Sequence, residues 1–396
     1  MKIRRIGCVL VLLLSAFIPL AATDSEHYGS LELHTSLAGS DSSAVPAAAG
    51  IIDANHRLYL SEGEFFLHHE AETDQSSVAE YTIHEAYLAL FQDWGNLTFG
   101  RHRIPWGTGI FFSPTDALHP VSLTGEAETG FDGLSGTRLL SNGTTVTMAV
   151  SFSPVLDYAA AEADPGPDEL GSKVRGAVSL GGYIGTLDWR TTMVYQWEKV
   201  FRPGISFSAD LAGWILSLEG ALELHNSLDY LPGTEDPELW DPYALVGSGI
   251  EKSWIGSTDT LTIISEYLYD QQGYSEKEAK MVYALLEAAG PGTDSTGTSP
   301  SLGRHYLNAS IEYAHDNRVF TEHGVLLNLQ DPSGVVSHAL TYTVGTEIDF
   351  RLEGSWCFGG SGDSEFGLYA ESAAQLDEVP DELAAYSLTA SVTVHF

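Results

Sequence analysis

The sequence places charged or polar side chains at alternate positions of two neighbouring strand-like stretches. Glu85 and Tyr87 lie in the first stretch, and Arg101 and Arg103 lie in the second. If the two stretches form a hairpin, we expect Glu85 to face Arg103 and Tyr87 to face Arg101. Arg138, in the next strand-like stretch, extends this basic group. Such a row could guide ions electrostatically, or it could form ion pairs that only stabilise a wet interior.

Charges on every second position require strands, because a helical period of 3.6 residues does not keep them on one face. The stretch 187–198 shows the same pattern. Trp189 and Tyr195 share its apolar face, and Asp188 and Arg190 share its polar face. Similar two-faced stretches recur along the chain, which indicates an all-β protein.

The C-terminal stretch 386–396 alternates without interruption and ends on Phe396. A strand of a soluble sandwich could show the same alternation. A transmembrane barrel also explains its place in the chain, because the closing strand faces lipid on one side and a wet lumen on the other. The stretch resembles the C-terminal signature that the barrel assembly machinery of bacterial outer membranes reads, so Phe396 is the predicted assembly signal.

The N-terminal residues 1–22 are typical of a secretory signal peptide. Basic residues begin the stretch, an apolar run follows, and Ala21 and Ala22 end it. The mature chain is then 23–396. Cys357 is its only cysteine, so it forms no intramolecular disulfide. We expect export to the bacterial cell outer membrane.

The predicted fold is a transmembrane antiparallel up-and-down β-barrel of about 16 strands, with 14 to 18 allowed. The mean hydropathy of −0.03 fits a barrel, whose lipid-facing and lumen-facing residues average out. Short and long connections also alternate along the chain. In such a barrel an Arg facing lipid near the midplane costs about 2–4 kcal/mol, so the charged residues should face inward. The predicted lumen and selectivity residues are Glu85, Tyr87, Arg101, Arg103, Arg138, Asp188 and Arg190.

The stretch after residue 105 is predicted to fold back into or over the lumen as a constriction loop. Its residues are Trp106, Gly107, Pro114 and Asp116. Glycine permits unusual backbone angles, and proline stiffens the chain. Asp116 could cap the local backbone, or it could pair with an Arg of the lumen.

This region resembles a pattern of bacterial outer-membrane, porin-like barrels. The chain reads Gly100-Arg101-His102-Arg103-Ile104, then Trp106-Gly107, Pro114-Thr115-Asp116 and His119-Pro120. The family pattern reads approximately GRQ-x-I-x-WG, NPTD and NP, and it is loosely similar to the alginate-export type of porin. The resemblance implies an outer-membrane barrel that conducts small solutes. It does not name the solute.

The net charge of −36 argues against nucleic-acid binding, which needs clustered Lys and Arg. In a channel it favours cations over anions. We expect no cofactor and no metal site, because His68 and His69 are adjacent and would point to opposite faces of a strand. No hydrolase or nucleotide-binding motif occurs in the sequence, so we expect no enzyme.

The sequence therefore favours an outer-membrane channel for passive or substrate-selective diffusion of small solutes or ions. The alternative is a surface-exposed adhesin or structural barrel with a plugged lumen. An outer-membrane hydrolase is a weaker alternative. The expected partners are outer-membrane lipid, the barrel assembly machinery, the transported solutes or ions and, in a homo-oligomer, further copies of the chain.

Overall fold

The computed structural model describes residues 24–40, 43–73, 79–104, 106–116, 130–152, 174–196, 200–224, 242–271, 273–275, 303–359, 365–366 and 386–396. These residues form one antiparallel sheet of eighteen strands. Each strand pairs with its neighbours in chain order, and the last strand pairs with the first. The fold is therefore a closed up-and-down barrel. The signal peptide expected at 1–22 lies outside the described residues.

The strands are β1 (Asp24–Ser40), β2 (Ser43–Leu60), β3 (Gly63–Thr73), β4 (Ala79–Gln92), β5 (Gly95–His102), β6 (Phe131–Leu139), β7 (Thr145–Ser151), β8 (Arg175–Ile184), β9 (Leu187–Gln196), β10 (Val200–Leu211), β11 (Trp214–Glu223), β12 (Tyr243–Ile255), β13 (Asp259–Asp270), β14 (His305–His315), β15 (Val319–Asn328), β16 (Ser333–Val344), β17 (Ile348–Phe358) and β18 (Tyr386–His395). Among the described residues, no helix is long and apolar enough to span a lipid bilayer.

The barrel has eighteen strands rather than about 16. The sequence pattern hides β2, because its first half is a run of small residues around Pro46 with little alternation. The turn between β2 and β3 consists of Ser61 and Glu62, which carry none of the usual glycine or asparagine turn signals. Hairpin pairing with β1 nevertheless holds residues 43–59 of β2 in the sheet.

Alternation along the strands separates an apolar outer face from a polar lumen face. On the outer face, Phe99 is 64% exposed, Met148 is 62% exposed and Leu33 is 60% exposed. Large apolar side chains that stay exposed in a folded barrel indicate that this face contacts lipid rather than water. The lumen face of β18 carries Ser387, Thr389, Ser391 and Thr393.

The two ends of the barrel differ in their connections. One end has only short turns, at 61–62, 93–94, 140–144, 185–186, 212–213, 256–258, 316–318 and 345–347. Ala212 and Gly213 both have positive φ angles, 57° and 77°, as a two-residue type I′ hairpin requires. The other end holds the longer connections, including 103–130 and 359–385. We call these the short-turn end and the long-loop end.

The C-terminal strand closes the barrel. β18 pairs with β17 on one side and with β1 on the other. The N–H of Gly29 donates to the carbonyl of Phe396, and the N–H of Phe396 donates to the carbonyl of Gly29, both at 3.0 Å. The last residue of the chain thus takes part in the closing ladder.

The predicted pairing between β4 and β5 is one residue out of register. Ala86, not Tyr87, pairs with Arg101, and Tyr87 pairs with Gly100. The turn consists of Asp93 and Trp94 alone, because Gly95 already belongs to β5. A shift of one residue changes which side chains face each other, so the expected row of Glu85 with Arg103 and Tyr87 with Arg101 does not form.

Candidate functional site: the lumen and its inner segment

The connection between β5 and β6 sends residues 106–116 along the inner wall of the barrel. We call these residues the inner segment. Glu219, on the lumen face of β11, accepts hydrogen bonds from the backbone N–H of Thr108 and, at 2.6 Å, from that of Gly109. Its second oxygen accepts from the Thr115 N–H at 3.2 Å and the Thr115 hydroxyl at 2.8 Å. One buried carboxylate therefore holds both limbs of the segment.

Glu266, on the lumen face of β13, holds the middle of the inner segment. Its carboxylate accepts from the N–H groups of Ile110 at 2.6 Å, Phe111 at 2.7 Å and Phe112 at 3.0 Å. The carboxylate replaces the secondary-structure partners that these consecutive amides lack. Glu266 is only 4% exposed and Glu219 only 2%.

Glycines in the wall let the inner segment approach closely. A Cβ on Gly247 would lie 3.0 Å from Cδ of Pro114, and a Cβ on Gly204 would lie 3.1 Å from Cγ2 of Thr115. Both distances are too short for an ordinary side chain. Within the segment, a Cβ on Gly107 would collide with the side chain of Ser113. The wall and the segment are thus shaped for each other.

Apolar contacts fix the start and the middle of the inner segment. Trp106 is 1% exposed and packs with Phe131, Ala149 and Val194 of the wall. In the middle of the segment, Phe112 packs in a second cluster. That cluster also contains Leu268, Tyr306 and Phe366. Phe366 comes from the β17–β18 connection, so two connections of the long-loop end reach into the lumen.

The residues of the predicted constriction loop all lie in the inner segment. Trp106 and Asp116 are buried there. The backbone N–H of Asp116 donates to the carbonyl of Ser113 at 3.1 Å, which closes a local turn. The carbonyl of Pro114 accepts a hydrogen bond from the guanidinium of Arg202, on β10. Whether these residues constrict the passage of solutes stays a prediction.

The prediction that Arg101 faces the lumen is wrong. Arg101 lies two residues from the exposed Phe99, on the same face of β5, and it pairs with Asp132, which shares a face with the exposed Leu134. Its guanidinium pairs with Asp132 through Nε at 3.0 Å and Nη2 at 2.7 Å, and Nη1 donates to the carbonyl of Ile83 at 2.9 Å. The outer face tolerates this Arg because it lies at the long-loop rim with a bidentate partner.

Arg138 also lies on the outer face rather than in the lumen. It shares that face with Leu134, near the short-turn end, and is exposed. Arg103 is exposed at the opposite end, where its backbone N–H donates to Oε1 of Glu85 at 3.2 Å. The three arginines of the predicted basic group therefore do not meet.

Glu85 and Tyr87 lie on the lumen face of β4, as expected. The hydroxyl of Tyr87 donates to Oε1 of Glu64 at 3.4 Å, and its ring lies 5.3 Å from that of Phe66. The guanidinium of Arg57, on β2, lies over the Phe66 ring, with Cζ 5.1 Å from the ring centre. Tyr87 thus contacts Glu64 and Phe66 of β3, and on β5 its ring lies 6.2 Å from that of His102 rather than beside Arg101.

The basic group of the lumen lies on β8 to β10. Asp188 and Arg190 are on the lumen face of β9, since they alternate with the exposed Met193 and Tyr195. Arg175 donates from Nε and Nη2 to the side-chain oxygen of Gln196, both at 3.2 Å. Arg202 lies 3.6 Å from the carboxylate of Glu223. Apolar and polar residues alternate around Arg175 and Arg202, and this pattern could have predicted that both face the lumen.

Carboxylates line the lumen face of the strands beyond the inner segment. Glu312 of β14 pairs directly with Glu322 of β15. Glu251 of β12 points to the same side, two strands away. Like charges opposite each other on neighbouring strands repel, so this arrangement favours cations in the adjacent water. The described residues contain no group of three or more His, Cys, Asp or Glu side chains placed to hold a metal ion.

No known family profile matches the sequence, and no curated protein matches it. Solved structures do match. OccK2 (OpdF) of Pseudomonas aeruginosa, in complex with glucuronate, has a TM-score of 0.56 at 10% identity, with 95% of this chain and 98% of that chain covered. The outer membrane protein opdK of the same organism has a TM-score of 0.55 at 8% identity, covering 95% and 99%.

A third similar structure is OccAB1 of Acinetobacter baumannii. Its TM-score is 0.56 at 9% identity, and the match covers 95% of this chain and 97% of that chain. Identities this low show a common fold rather than a common activity. The chain therefore shares the closed barrel fold of these three proteins over nearly its whole length.

Proposed function

We propose that this protein is a bacterial outer-membrane channel through which small solutes or ions diffuse. The observation that carries the proposal is the division of the eighteen-strand barrel into an apolar outer face and a charged lumen face. A barrel of this size encloses a water-filled passage when its lumen is not plugged. The match to an outer membrane protein and to a structure with bound glucuronate supports small-solute passage.

The proposal includes export by a signal peptide at 1–22 and insertion by the barrel assembly machinery, which would read the strand ending at Phe396. The short-turn end would then face the periplasm and the long-loop end the outside. It also includes a homo-oligomer. His323 and His338, whose Nδ1 atoms are 2.7 Å apart on the outer face, are better covered by protein than by lipid. The mass of the purified complex gives the number of chains in it.

We further propose that the channel prefers cations and performs no enzymatic reaction. Glu251, Glu312 and Glu322 line one part of the lumen, whereas Arg190 and Arg202 lie elsewhere on its wall. The relation to alginate-export porins remains a proposal that rests on the motif alone.

The test is single-channel recording of the purified protein in a planar bilayer with a salt gradient. We expect discrete conductance steps and a reversal potential that indicates cation preference. Anion preference would assign selectivity to the arginines of β8 to β10. A folded barrel without conductance would contradict the channel proposal and favour a surface adhesin or structural barrel with a plugged lumen.

A further inference from the structure

We infer that Glu219 and Glu266 are positioning residues that latch the inner segment onto the lumen wall and thereby set the width of the passage. This inference rests on the proposed channel function for its consequence, but the latch itself is a property of the fold. Both carboxylates belong to strands that are far from the segment in sequence. Glu219 is 111 residues from Thr108, and Glu266 is 156 residues from Ile110.

The hydrogen bonds have the form expected of a latch. Five consecutive amides, from Thr108 to Phe112, donate to two carboxylates, and the Thr115 amide completes the set. The hydroxyls of Thr108, Ser113 and Thr115 also donate to Glu219. A carboxylate only accepts, so it matches a stretch that presents only donors. Charge-assisted hydrogen bonds of this kind are stronger than neutral ones.

The latch holds the segment against the wall rather than across the passage. Glu219 lies on β11, Glu266 lies on β13, and Gly247 lies on β12 between them. Pro114 packs on Gly247, where an added Cβ would lie 3.0 Å from Cδ of the proline, so a larger side chain would displace it. The segment therefore occupies a recess made by two acceptors and a missing side chain. Without the latch, the segment keeps the apolar contacts of Trp106 and Phe112 and the hydrogen bond from Arg202 to Pro114.

Glutamine variants separate charge and acceptor capacity from size. In Glu219→Gln and Glu266→Gln, the side-chain NH₂ group meets backbone N–H donors, so half of the acceptor sites become repulsive. Glu32→Gln is the matched control, because Glu32 lies on the lumen face of β1, away from the segment. Gly247→Val is a second way to displace the segment, and it leaves both carboxylates intact.

The first readout is hydrogen–deuterium exchange of the full chain, resolved for peptides covering 106–116. In the wild type we expect slow exchange of these amides although they belong to no helix or strand. In Glu219→Gln, Glu266→Gln and Gly247→Val we expect roughly tenfold faster exchange there, with unchanged exchange in β16 to β18, and wild-type rates in Glu32→Gln. Fast exchange in the wild type, or unchanged rates in all three folded latch variants, would overturn the latch.

The second readout is single-channel conductance of the same proteins. We expect a different unitary conductance and more open-channel noise in the latch variants than in the wild type and Glu32→Gln, because a freed segment moves within the passage. Faster exchange with identical conductance and noise would overturn the role in setting the width. If the wild type does not conduct, the proposed function fails, but the exchange result still decides the latch.

Discussion

At the scale of single residues, the arginines that line the lumen differ from those that the sequence pattern predicts there. Arg101 and Arg138 are on the outer face, and Arg175 and Arg202 take their place in the lumen. Arg101 retains a full set of partners through Asp132 and the backbone of Ile83. An outer-face Arg is tolerated where a carboxylate neutralises it near the rim. Its role is therefore structural.

The position of Arg101 on the outer face predicts a role in stability rather than in selectivity. Asp132→Ala removes the partner of Arg101, a partly exposed charge-assisted pair, and should lower the free energy of unfolding by about 1–2 kcal/mol. Arg101→Ala should leave ion selectivity unchanged, whereas Arg202→Ala should increase cation preference. Urea unfolding and reversal potentials measure the two effects. A change of selectivity in Arg101→Ala would contradict the position of Arg101 on the outer face.

At the scale of elements, each strand carries its own division between lipid and water. Leu33 and His34 are neighbours on β1 and point to opposite faces. Leu33 pairs with Val392 of β18 on the outer face, and His34 pairs with Ser391 on the lumen face. The local period of two sets this division, but the partners of each strand set its register.

Adjacent substitutions on β1 test the two faces. Leu33→Arg should lower the stability of the inserted barrel by about 2–4 kcal/mol, because it places a charge in the apolar outer face. His34→Arg should change stability little, since the lumen hydrates the new charge. Unfolding in lipid vesicles with urea measures both. Equal costs at the two positions would contradict the assignment of faces.

At the scale of the whole molecule, the balance of charge in the lumen would set the ion preference of the proposed channel. The chain has 54 acidic and 18 basic residues. Glu312 of β14 pairs directly with Glu322 of the neighbouring strand β15. Their repulsion is relieved when a cation lies in the adjacent water. This part of the acidic composition therefore lies on the lumen face of the barrel.

The double variant Glu312→Gln with Glu322→Gln tests this role. We expect lower cation preference and slightly higher stability, because a cross-strand pair of like charges destabilises a sheet by about 0.2–1 kcal/mol. Glu347→Gln, in the turn between β16 and β17, is the control that removes a charge outside the strands. Reversal potentials and unfolding curves decide the outcome. Unchanged selectivity in the double variant would remove these residues from the selectivity proposal.

The sequence by itself determined that the chain is an all-β barrel with two faces and that β18 closes it. This information is local, because a strand shows its faces in a period of two residues. The same period placed Asp188, Arg190, Glu85 and Tyr87 on the lumen face. It could not count β2, whose small residues hardly alternate.

Only the tertiary structure decided the register of β4 with β5, the outward position of Arg101 and the attachment of the inner segment to Glu219 and Glu266. Each depends on partners that lie far apart in the sequence or on the exact length of a turn. A turn shorter by one residue moves every side chain of a strand to another partner. The acceptors of the segment become its neighbours only when the barrel closes, because closure brings β11 and β13 beside the chain that leaves β5.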